Sequence, residues 1–197
     1  MTRVEKVLGE VAAALNAGGR RYALIGGLAV SARAEPRFTR DVDWAVAVRN
    51  DPEAEAVVHG LVEAGYSILM TVEQDETHRL ATVRLLPPGE PPVGVVADLL
   101  FASSGIEPEL VAAADALEFL PDLVCPVAKV GHLIALKVLS AAPSRPQDSA
   151  DLRALAAVAD ASDLELARQA LDLIEARGFA RGKMLMAEFA RLVTAVG

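Results

Sequence analysis

The chain contains a single cysteine, Cys125, so no disulfide can form within it, and its neighbours Val124 and Pro126 point to a buried, inert thiol. Long apolar runs are missing too. The longest stretch without Asp, Glu, Lys or Arg is 22–32, too short to span a bilayer, and it carries two glycines. The opening Met-Thr-Arg-Val-Glu-Lys has neither the basic start nor the apolar core of a signal peptide, so the expectation is a cytoplasmic protein with no membrane partner. Of His59, His78 and His132, none has a partner at metal-ligand spacing. Internal repeats and low-complexity tracts are absent from the sequence. Broad positive charge is lacking as well: the net charge is −8, although residues 1–50 hold eight Lys/Arg against five Asp/Glu. That distribution argues against binding along an extended nucleic-acid backbone and leaves one locally basic segment.

What is present suffices for a folded core. At 197 residues, 53% hydrophobic and 23% charged, the chain belongs with globular proteins. A core over 1–125 and a C-terminal helical region over 126–197 are expected. Val4, Val7, Leu8, Val11 and Leu15 recur at helical spacing, and Gly18-Gly19 stops that helix. A short buried strand follows at Tyr22 to Ile25, then a helix that Pro36 ends. Further strands are expected over 39–48, 66–72, 79–86 and 93–101, with a short one near 118–124. Asp51-Pro52 reads as an N-cap with proline at the first helical position. Helices are expected near 127–141, 148–159, 163–177 and 180–196.

The most informative segment runs from Gly26-Gly27 to Arg37-Phe38-Thr39-Arg40-Asp41-Val42-Asp43. Val42, Trp44, Val46 and Val48 alternate with Asp41, Asp43, Ala45 and Ala47. Successive strand side chains point to opposite faces, so both aspartates share one face while the large apolar residues pack on the other. Like charges held that close are expected where a cation binds between them, and carboxylates are preferred ligands of Mg²⁺. Glycines at a strand-to-helix turn let backbone N–H groups approach a phosphate, and the helix start favours anions. Arg33, Arg37 and Arg40 stand ready to meet phosphates, although Arg33 reads more simply as a residue of its helix surface.

Asp98 lies in the apolar run Val95-Val96-Ala97-Asp98-Leu99-Leu100-Phe101, where an uncompensated carboxylate costs several kcal/mol. It could pair with a buried arginine, sit solvated at a strand end, or complete a cation site with Asp41 and Asp43. The same-face pair on another strand favours the last.

Gly26-Gly27, Asp41-Val42-Asp43 and the later strand Asp98 together resemble the nucleotidyltransferase superfamily of the DNA polymerase β type. Arg37, Thr39, Asp41 and Asp43 match the Arg-x-Thr-x-Asp-hydrophobic-Asp approach of its AbiEii-type toxin and minimal nucleotidyltransferase branch. Lys137, Ala141, Arg145, Asp148, Asp151 and Leu152 are similar to that branch's helical element. The sequence departs from relatives in having Gly27 where many carry Ser, and Gln147 where Lys is frequent. The resemblance implies an α+β nucleotidyltransferase fold, with a mixed sheet flanked by helices and a C-terminal helical region. It implies transfer of a nucleoside monophosphate from an NTP to an acceptor hydroxyl, with release of pyrophosphate. Asp41, Asp43 and Asp98 would be both metal ligands and catalytic residues around two Mg²⁺ ions. Gly26, Gly27, Arg37, Thr39, Arg40 and Lys137 would bind the nucleotide. The acceptor is left open between a protein hydroxyl, a tRNA end and a small molecule. A cognate toxin or antitoxin is a further partner class, and an inactive module acting by occlusion is the alternative function.

Overall fold

The computed structural model describes residues 2–120 and 123–196. Its elements run α1 (Arg3–Ala17), β1 (Tyr22–Ile25), α2 (Gly26–Arg33), β2 (Asp41–Val46), α3 (Asp51–Glu63), β3 (Ser67–Glu73), β4 (Leu80–Leu86), β5 (Val96–Leu100), α4 (Glu107–Ala113), β6 (Asp115–Leu120), β7 (Leu123–Val127), α5 (Val130–Ser140), α6 (Pro146–Val158), α7 (Ala161–Ala176) and α8 (Leu185–Val196). The strands form one seven-stranded sheet in the order β3-β4-β5-β2-β1-β7-β6. It is mixed: β2 runs parallel to β5 and β1 parallel to β7, while the other neighbours are antiparallel. The fold is α+β, as the sequence leads one to expect.

Local chemistry explains the boundaries. Thr2 and Glu5 form a reciprocal capping box that opens α1, whose Val7, Leu8, Val11 and Leu15 are buried. Gly18 caps its end and Gly19 turns the chain at φ +62°. One sheet face carries Tyr22, Leu24, Val42, Trp44, Val46, Leu99 and Val83, all buried. Tyr22 donates from its hydroxyl to the Ala12 carbonyl at 3.3 Å, which pins α1 to that face. Trp44 is fully buried and meets Tyr22 edge-on with ring centroids 5.1 Å apart. Its expected place in the core is therefore observed. Cys125 is also buried, and loss of hydration pushes its thiol up to about 11, which keeps it unreactive.

Three boundaries differ from expectation. Asn50, not Asp51, caps α3: its side chain accepts from the Glu53 N–H at 3.1 Å. Asp51 is drawn away to Arg79 and to the Leu80 N–H, at 3.0 and 3.3 Å. The single strand expected near 118–124 is the antiparallel pair β6 and β7, and residues 121–122 of that span lie outside the described residues. The boundary expected after Cys125 falls inside β7, whose Val127 and the following Ala128 are buried in the same hydrophobic core as α1 and α5. Among the described residues, no helix is long and apolar enough to cross a membrane.

Candidate active site

The sheet register assembles the site. Ile25 of β1 pairs with Asp43 of β2, Asp43 with Asp98 of β5, and Asp98 with Arg84 of β4. Residues paired directly across strands share a face, so Asp43, Asp98 and Arg84 stand side by side on the face opposite Trp44. Asp41, two residues before Asp43, joins them. The sequence-based expectation that Asp41 and Asp43 share a face with Asp98 is met in this register.

Asp43 is the crowded member. Loss of hydration raises its carboxyl from 3.8 to about 7, and repulsion from Asp98 and Asp41 adds to the effect, while Lys137 and Arg84 act the other way. Gly26 makes room for it. Gly26 sits at φ +65°, and a Cβ there would lie 1.9 Å from Asp43 Oδ2. Only glycine fits both demands. Ile25, the N-cap of α2, has no side-chain cap bond, so no cap side chain takes up the first-turn N–H groups of that helix.

Asp98 is buried and its carboxylate has a partner that the sequence raised only as an unnamed alternative. Arg84 donates from Nε to Oδ1 at 2.8 Å and from Nη2 to Oδ2 at 2.7 Å, a two-pronged ion pair. Nη2 also lies 3.7 Å from Asp41 Oδ2. These contacts hold the guanidinium more firmly protonated, the hydrogen bonds to Asp98 contributing most. Among the described residues, no group of three or more His, Cys, Asp or Glu is arranged to hold a metal ion. Of the three carboxylates expected to share a cation, Asp98 is bridged to Arg84 while Asp41 and Asp43 stand beside that bridge. Arg84 carries a weak sequence signal: it shares one strand face with Leu80 and Thr82, but its register against Asp98 is not written in the sequence.

A second cluster lies beside the first. Lys137, in the last turn of α5, places Nζ 2.7 Å from both Asp148 Oδ1 and Asp151 Oδ2 of α6. Arg37 reaches the same Asp151, with Nε 2.7 Å from Oδ1 and Nη2 donating to Oδ2 at 2.9 Å. Burial alone would raise the Asp151 carboxyl, but hydrogen bonds from Lys137 and Arg37 leave it below its ordinary value. Gln147 adds a bond to Asp151 at 3.2 Å, and Arg145 approaches Asp148 to 3.4 Å.

Gly27 and Ser31 belong to this second cluster. A Cβ at Gly27 would lie 2.6 Å from Arg37 Nη2, so the missing side chain leaves a lane for that guanidinium. Ser31 Oγ accepts from the Arg37 N–H at 3.2 Å and donates to the Gly27 carbonyl at 3.0 Å. Thr39 donates to the Asp41 carbonyl at 3.3 Å, bracing the approach to β2. Arg40 is exposed and stacks 5.7 Å from the centre of the Phe38 ring, away from any carboxylate contact among the described residues. Arg33 is structural: it donates to Asp115 at 2.8 Å and to the Val127 and Ala128 carbonyls, tying α2 to β6 and β7.

Comparisons with known proteins agree with this architecture. The family model for "Nucleotidyl transferase AbiEii toxin, Type IV TA system" matches residues 11–194. An antigenic nucleotidyltransferase-like protein from Paracoccidioides brasiliensis is 16% identical with a TM-score of 0.54, over 95% of this chain and 92% of that one. A putative nucleotidyltransferase from H. pylori is 13% identical with a TM-score of 0.48, over 98% and 91%. The antibiotic-resistance factor ANT(2'')-Ia is 16% identical with a TM-score of 0.49, over 99% and 92%. The first of these supports the fold, and the other two are too distant to carry more. No match is found among curated proteins. The family match spans nearly the whole chain, including both clusters and the helices that join them, and the chain accordingly belongs to the AbiEii nucleotidyltransferase toxin family.

Proposed function

We propose that this protein transfers a nucleoside monophosphate from an NTP to an acceptor hydroxyl, with release of pyrophosphate, in a reaction that requires a divalent cation such as Mg²⁺. The observation that carries this reading is Asp43: a carboxylate pushed up to about 7, wedged beside two further carboxylates, in a space that Gly26 keeps clear. Such a surplus of negative charge suits a cation. Asp41 and Asp43 would hold it, and a bound divalent ion would neutralise phosphate charge as the phosphorus centre is attacked.

The remaining roles follow from charge and placement. The N–H groups at the start of α2 receive the triphosphate, where the helix start favours negative charge. Lys137 and Arg37 contribute positive charge to the same side, each already oriented by Asp151. A carboxylate has lone pairs beyond those that a two-pronged arginine uses, so Asp98 keeps acceptor capacity for the incoming hydroxyl while Arg84 fixes its orientation. The acidic remainder of the chain favours a protein or a small cationic acceptor over extended RNA, with a tRNA end as a local alternative. The family's toxin–antitoxin designation makes a cognate antitoxin a natural partner.

The test is to incubate the protein and Mg²⁺ with each labelled NTP in a lysate, then follow the label into protein, RNA and small-molecule fractions. Label entering one fraction, and lost in the Asp41→Asn, Asp43→Asn double variant, is the expected result. No transfer from any NTP, with growth inhibition unchanged in the double variant, would leave a non-enzymatic module acting by occlusion.

A further inference from the structure

Arg84 changes how much positive charge the carboxylate site still needs. It faces Asp98 across β4 and β5 with both prongs engaged, and its Nη2 leans to within 3.7 Å of Asp41. Asp41, Asp43 and Asp98 bring three negative charges to the row when ionised, and Arg84 returns one positive charge. Without nucleotide, one divalent ion balances what is left. A second would have to displace a guanidinium that stays charged at any working pH, or sit beside it against repulsion. Removing Arg84 from Asp98 would also strand a buried carboxylate, since Asp98 is 7% exposed.

Resting on the nucleotide-site reading above, we propose that Arg84 stands permanently in the place of a second cation, so that the site takes a single divalent ion on Asp41 and Asp43. Asp98 anchors Arg84 and does not ligate metal. The expectation of two Mg²⁺ ions is replaced by one ion and one guanidinium. Arg84 suits that place: a planar guanidinium held by two bonds is pre-aimed, and its remaining N–H donors are available to phosphate oxygens. The bulged edge strand β3 sets Met70 opposite Arg84, leaving the arginine side chain 36% exposed and reachable by a bound substrate.

The count of bound metal tests this directly. Saturate the protein with a non-hydrolysable NTP analogue, trying the four bases in turn, and titrate Mn²⁺ while following the signal of free Mn²⁺ by electron paramagnetic resonance. The expected result is one Mn²⁺ per complex for the parent, two for Arg84→Met, and one for Asp98→Asn. The Asp98→Asn arm stands by itself should Arg84→Met fail to fold, because a ligand role for Asp98 predicts loss of metal there. Two Mn²⁺ in the parent, one in a folded Arg84→Met, or none in Asp98→Asn overturns the proposal while the nucleotide-site reading survives. A parent that binds neither analogue nor Mn²⁺ overturns both.

Discussion

Two charged clusters lie side by side in this molecule, and they solve the same electrostatic problem differently. Around Lys137 and Arg37, two cations meet Asp148 and Asp151, each buried carboxylate within 2.7 Å of a cation. On β2, β5 and β4, Asp41, Asp43 and Asp98 share a single close arginine, and the strain shows in Asp43 at about 7. The Lys137 cluster is complete in itself. The carboxylate row keeps a surplus of negative charge, which on the proposed function a bound cation would offset. A protein that leaves like charges facing each other on a rigid sheet gives up stability at that place, and such concessions gather where a ligand is to be received.

This contrast can be broken by substitution. The largest effect is expected from Asp43→Asn with Asp41→Asn: NMP transfer falls on the order of 10³-fold or more while circular dichroism stays unchanged. A parent-like rate would remove the carboxylate cluster from the chemistry. Asp151→Ala should do the reverse, striking stability first. It leaves Arg37 without its carboxylate and Lys137 with Asp148 alone, and should cost about 2–3 kcal/mol in urea unfolding. A loss below about 1 kcal/mol would mean that the second cluster is not a structural unit.

Gly26→Ala sits between the two cases. The new Cβ meets Asp43 and the φ of +65° is unfavourable, so a loss of about 1–3 kcal/mol is expected together with reduced Mn²⁺ binding. Unchanged affinity would show that Asp43 yields easily. The smallest effect is on pH dependence. Asp43 binds its proton more tightly when folded, at about 7 against 3.8, so between those values the folded state holds more protons than the unfolded one. The stability of the parent relative to Asp43→Asn, measured in a chelator, should therefore fall as pH rises from about 4 through 7 and recover when Mg²⁺ is added, while buried His132, lowered to about 4, acts the other way in both proteins. A difference between the two that does not change over that range would contradict the crowding described for Asp43.

The sequence disclosed the first cluster better than the second. Strand alternation alone puts Asp41 and Asp43 on the face opposite Trp44, and the apolar surroundings of Asp98 require a partner for it. Strand pairing is another matter. That Arg84 rather than Thr82 faces Asp98 depends on the register of β4 against β5, which is set by packing across the whole sheet. Lys137 and Asp151 were visible through family resemblance, but Arg37 crossing the start of α2 to reach Asp151 follows from three-dimensional closure. The antiparallel pairing of β6 and β7 is not legible because Pro126 suggests an end to β structure, yet that proline sits in β7 opposite Ala116. The place of Arg40 beside the Phe38 ring is likewise set by the turn before β2 and not by any pattern in the sequence.

The bond between Arg37 and Asp151 joins residues 114 positions apart. During synthesis, the carboxylate strand therefore leaves the ribosome long before the helices that align its neighbouring cations. A partly made chain lacks Lys137 and Asp151 altogether, and with them the arrangement that would grip a nucleotide. On the function proposed above this would act as a built-in delay: transfer activity would arrive only after α6 has been made, and a product cut short before it would lack the site.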